Sequence, residues 1–168
     1  DDFIGTVLIA WNKASQGEKE KSFDILEKIP KPYRHLKKTQ KGFLKCYFGM
    51  EDTEIFYKKI IENKDYNFSR YNFFLANYFV YQNKEKEALK IIKNTIKNNR
   101  SNLLIEETEN FLKEGESAKI KNFFNCKDPN DSLAEFFYVI ANLYASESDY
   151  RTSNFYLKIS QFLNKKFL

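Results

Sequence analysis

Apolar residues recur at the three- and four-residue intervals of a helical stripe through both halves of one stretch, Tyr71 to Asn98. Phe74, Leu75, Tyr78, Phe79 and Tyr81 crowd one face of the first, with small Ala76 among them; Ala88, Ile91, Ile92, Thr95 and Ile96 line the second. The short polar link from Gln82 to Lys86 forces the two helices antiparallel. Neither helix covers its apolar face alone, so the pair needs neighbours of its own kind.

Copies of the pattern are present. In Ser132 to Asn164, residues Ile140, Ala141, Tyr144, Ser153 and Leu157 take the places of Leu75, Ala76, Phe79, Ala88 and Ile92. Ile9, Ala10, Ser22, Leu26 and Ile29 follow most of it near the start. The small residue of the second helix recurs at Ser22, Thr53, Ala88 and Ser153, at intervals of 31, 35 and 65 residues, the last about two periods. Asp2 is placed to cap the first helix, and Ser69 the fifth. The pattern degenerates after Asn98, and the turn-rich Cys126 to Ser132 is the most irregular place in the chain.

A helix-turn-helix of about 34 residues, with a large-small pair and an aromatic in its first helix and a small residue in its second, resembles the tetratricopeptide repeat. The resemblance is carried by Tyr71 to Asn98 and Ser132 to Asn164; Asn83 and Ser148 stand where the family has glycine before the second helix, and Arg100 where it has proline between repeats. It implies an all-α, right-handed α-solenoid of five helix pairs in a single domain over 1–168, with pairs at about 4–29, 33–63, 69–98, 102–125 and 131–165. The chain also looks like an internal piece of longer bacterial tetratricopeptide proteins.

Composition narrows the function classes. No run approaches 18 apolar residues, so no membrane-spanning helix is expected. A net charge of +5 invites a nucleic-acid reading. Yet Lys, Asn, Ile, Phe and Tyr are abundant together, as in AT-rich genomes, and the acids are interspersed with the bases, which explains the balance without a partner. Lys86, Lys90, Lys93 and Lys97 form a basic ridge on a second helix, expected to face solvent. With Cys46 and Cys126 far apart, two half-buried thiols are favoured over a disulfide, and the compartment stays open between cytoplasm and periplasm.

Catalytic and metal chemistry have little to work with. His35 is the sole histidine, with no serine or carboxylate pattern around it, and the five glycines never cluster into a phosphate loop. No catalytic, cofactor or metal residue is therefore assigned, and no cofactor is expected. The resemblance implies instead a concave groove lined by the first helices, to which Trp11, Arg70, Phe73, Asn77, Tyr81, Tyr138 and Asn142 belong. Asn77 and Asn142 fall at equivalent positions, where peptide-binding members of the family hold a ligand backbone.

The function expected is a non-enzymatic scaffold for a protein or peptide partner. The alternatives are a basic helical-repeat nucleic-acid binder, or an assembly module using only its end faces. Phe155, Ile159, Phe162 and Leu163 lie near a C-terminal edge without a polar capping helix, which predicts self-association there or continuation of the parent chain.

Overall fold

A computed structural model describes residues 3–62, 69–98 and 102–166. Among them are ten α-helices and no strand: α1 (Phe3–Ser15), α2 (Lys19–Glu27), α3 (Arg34–Tyr47), α4 (Thr53–Ile61), α5 (Ser69–Tyr81), α6 (Glu85–Asn98), α7 (Leu103–Lys113), α8 (Ser117–Phe123), α9 (Pro129–Ser146) and α10 (Tyr150–Leu163). A 3₁₀ turn, Lys31–Tyr33, leads into α3. The cap expected at Asp2 lies outside the described residues, and α5 begins at Ser69 itself.

One turn is used five times between successive helices, and α1 with α2, α5 with α6, α7 with α8 and α9 with α10 pack as pairs about it. Gly17, Gly49, Asn83, Gly115 and Ser148 all have positive φ, between 56° and 79°, and follow one another at 32, 34, 32 and 33 residues. Each follows the first of two successive helices. The next residue's N–H (Glu18, Met50, Lys84, Glu116, Asp149) donates back to the carbonyl of Lys13, Lys45, Phe79, Phe111 or Tyr144, at 2.8–3.0 Å. This left-handed closure satisfies carbonyls that the helix end would otherwise orphan, and it reverses the chain within three or four residues. The fourth pair, whose apolar pattern is weak, carries the same turn at Gly115 as the others. Its second helix puts bulky Ile120, fully buried, five residues after the turn, where other pairs have Ser22, Ala88 and Ser153.

Two compact units divide the chain, 1–50 with 126–168 and 51–125, where the sequence predicts a single repeat domain over 1–168. In the first unit α1 packs on α2 and α9 on α10; α9 also packs on α1 and α3. Its core holds Val7, Trp11, Leu26, Phe43, Leu44, Phe136 and Ile140, all at most 1% exposed. The Trp11 indole N–H donates to Gln40 Oε1 at 2.7 Å, both side chains buried. Ser160 of α10 donates to the Ala134 carbonyl of α9 at 2.7 Å.

Cys46 and Cys126 form a disulfide in this unit, with Cα atoms 5.8 Å apart, inside the bridging range. The expectation of two free thiols is thus corrected. Their proximity arises because α3 packs on α9, a contact between segments 80 residues apart that no local pattern announces.

In the second unit α5 is central. It packs on α4, α6, α7 and α8, and α6 also packs on α7. Seven consecutive residues, Tyr71 to Asn77, are buried, so α5 has no solvent face there. An aromatic cluster fills the space toward α7 and α8: Phe73 meets Phe74 at 5.3 Å and Phe123 at 6.5 Å, Phe74 meets Phe124 at 4.8 Å, and Phe111 meets Phe123 at 5.9 Å between ring centroids.

The all-α class, and the pairing of α1 with α2, α5 with α6, α7 with α8 and α9 with α10, are properties of the structure. Consecutive stacking is shown by pairs three and four; the first unit instead joins the first and last pairs, which a linear stack would hold apart.

Candidate functional site

The seven residues expected in a peptide groove divide between the units. Arg70, Phe73, Asn77 and Tyr81 belong to the second; Trp11, Tyr138 and Asn142 belong to the first.

On α5 the expected ligand contacts are made by the chain itself. Asn77, 2% exposed, donates both its amide hydrogen bonds inward, to the Ile120 carbonyl at 3.3 Å and the Phe124 carbonyl at 3.0 Å. The Tyr81 hydroxyl donates to the Lys121 carbonyl at 3.0 Å. These are terminal carbonyls of α8, a seven-residue helix with few partners of its own for them. Phe73 is fully buried in the aromatic cluster. The amide chemistry foreseen for Asn77 is present, but an internal segment is what it holds. Arg70 is half-buried at the start of α5.

In the first unit Trp11 is core, 1% exposed. Asn142 is exposed and donates to the Tyr138 carbonyl of its own helix at 2.8 Å, the ordinary i to i−4 local bond. Equivalent sequence positions thus carry two different roles. On α6, Lys86, Lys90, Lys93 and Lys97 are all exposed, as expected of a solvated ridge. No group of three or more His, Cys, Asp or Glu side chains capable of holding a metal occurs among the described residues. None of their helices is long and apolar enough to cross a membrane.

The outer face of α10 carries the two most exposed phenylalanines among the described residues. Only Ser160 of this helix is buried, and Phe155 and Phe162 are 60% and 80% exposed. Spaced by seven residues, the two rings form one ridge, with half-buried Ile159 beside them. Arg151, Lys158 and Lys165, also seven apart and exposed, form the next ridge, two on the helix and one just past it. No acidic residue lies within α10. Asp149 caps its start, accepting from the Thr152 N–H at 3.1 Å; hydrogen bonds from the Thr152 side chain and then from its N–H hold the Asp149 carboxyl below the usual range.

Salt bridges elsewhere are surface pairs that locate no site. Glu54 of α4 takes Lys58 at 2.7 Å and Lys84 at 3.1 Å, and those two hydrogen bonds hold its carboxyl below the ordinary carboxylate value. Burial raises the Tyr57 hydroxyl far above its usual range, so it stays neutral.

Comparisons with protein-family models, with curated proteins and with solved structures give no match. The likeness to tetratricopeptide repeats accordingly rests on the helix-pair pattern and its turn.

Proposed function

We propose that this chain is a non-enzymatic helical-repeat scaffold that holds a partner protein on the outer face of α10. The observation that carries the reading is the pair of exposed phenylalanines, Phe155 and Phe162, beside the basic ridge Arg151, Lys158 and Lys165. Large aromatic rings at this exposure are unusual on a surface with nothing to meet. An apolar ridge flanked on one side by cations fits an amphipathic helix bearing acidic residues at the matching flank, laid along α10 as in helix-on-helix recognition. This is the end-face alternative. The groove reading loses its support on α5, where Asn77 and Tyr81 are engaged by α8.

A tetratricopeptide-like solenoid is proposed for α5 to α8, where consecutive pairs stack. The disulfide supports the oxidising of the two compartments, since such bridges persist outside the reducing cytosol.

The test uses the intact chain as bait in extract of the source cells. Phe155→Ser with Phe162→Ser, and separately Arg151→Glu with Lys158→Glu, are expected to lose the same protein partner while Asn142→Ala retains it. Loss on Asn142→Ala with retention in both α10 variants would overturn the reading in favour of a groove. A nuclease-sensitive, steeply salt-dependent capture would return the basic nucleic-acid alternative.

A further inference from the structure

A small pocket in the first unit has a lining of a different character from any surface above. Phe3 of α1, Tyr33 of the 3₁₀ turn, Ile140, Leu143 and Tyr144 of α9, and Glu147 at its C-cap line an open pocket of about 140 Å³. Three of the six are aromatic, two aliphatic and one a carboxylate.

The aromatic walls are set before any ligand arrives. Phe3 and Tyr33 stack with ring centroids 3.9 Å apart, and Phe136 meets Phe3 edge-on at 6.3 Å. Tyr144 is backed by Tyr156 at 5.6 Å in a near-parallel stack. Glu147 ends α9, its N–H donating to the carbonyls of Leu143 and Tyr144 at 3.3 and 3.2 Å. The Glu147 carboxylate thus belongs to the residue that caps the negative end of an 18-residue helix. Among the described residues no cation pairs with the Glu147 side chain, in a chain whose net charge is +5.

Ring faces, a carboxylate and a helix C-terminus all attract positive charge. Ile140 and Leu143 give no hydrogen-bond acceptor for a bare ammonium or a metal ion, but they suit methyl groups. The volume admits a single head group and falls short of a drug-sized ligand. We propose that this pocket binds an alkylated ammonium head group of the trimethylammonium type, carried by a small quaternary amine or by a methylated lysine side chain.

Binding to the intact chain is measured by calorimetry and by aromatic-proton NMR. The probes are choline, its neutral isostere 3,3-dimethylbutan-1-ol, and a short peptide containing trimethyllysine beside the same peptide with leucine. Choline or the trimethyllysine peptide is expected to bind at least about tenfold tighter than its neutral counterpart, and which of the two binds tighter identifies the source. Glu147→Gln, a change at an exposed side chain that leaves the fold in place, should weaken binding several-fold at low salt. Tyr144→Leu should weaken it further. Equal binding of charged and neutral probes would overturn the proposal, as would binding indifferent to Glu147→Gln, or no detectable binding by any charged probe.

Discussion

The Trp11 indole and the Gln40 amide meet 2.7 Å apart in the core of the first unit, each about 1% exposed. Neither has an alternative partner in water, so removing one strands the other. Gln40→Leu is expected to cost about 1–3 kcal/mol in denaturant unfolding, and Trp11→Phe in the same chain to recover part of that loss. Asn77 makes the same argument in the second unit: Asn77→Leu removes two bonds to α8 carbonyls and should cost about 1–3 kcal/mol, with hydrogen exchange rising first in α8. Glu54 predicts a pH dependence. Its folded carboxyl sits below the unfolded value, so its contribution is whole above about pH 4.5 and fades as pH falls through the folded value; Glu54→Gln should flatten that part of the acid limb. The pair is partly exposed, and the effect should stay below about 1 kcal/mol. At this scale the sequence was a poor guide to role. Residue type and register put Asn77 and Asn142 at equivalent places, but whether an amide faces a neighbour's carbonyls or solvent is decided by which helix packs opposite. Trp11 likewise lies on an apolar helix with more than one candidate face, and only the partner Gln40, 29 residues away, distinguishes core from groove.

Element by element, the chain was far more legible. Gly17, Gly49 and Gly115 mark three of the five turns, and Asn83 and Ser148 stand at the other two with φ of 56° and 64°. A serine pays a conformational cost there that glycine does not. Ser148→Gly is therefore expected to stabilise the α9–α10 pair by about 0.5–1 kcal/mol, seen as a raised melting temperature, and Asn83→Gly to gain less because asparagine tolerates the left-handed region. The α3 helix, sparse in apolar residues, persists through Gly42 because Leu36, Thr39, Gln40, Phe43, Leu44 and Cys46 are buried together. The fourth pair, expected at about 102–125, is found as α7 and α8, although Ile120 fills the position where a small residue marks the second helix elsewhere.

Across the molecule, what the sequence could not carry was long-range adjacency. Two cysteines 80 residues apart gave no sign of pairing, yet their bridge ties the segment entering 51–125 to the one leaving it. Closing so long a loop restricts the unfolded chain by about 4–5 kcal/mol in the chain-entropy model, and Cys46→Ala with Cys126→Ala should lower stability by about 2–5 kcal/mol, read from denaturant midpoints. The apolar ridge at Phe155 and Phe162 was legible, because aromatic residues seven apart on one helix lie along a single line of its surface. Its occupant is the claim on which the functional account turns. The most direct measurement places a photo-reactive phenylalanine analogue at position 162, and in a parallel sample at 142, and maps the adducts formed in the source cells. The account predicts one protein adduct at 162, joined through an acidic amphipathic helix and absent at 142. Adducts at 142 alone, or the same set at both positions, would contradict it.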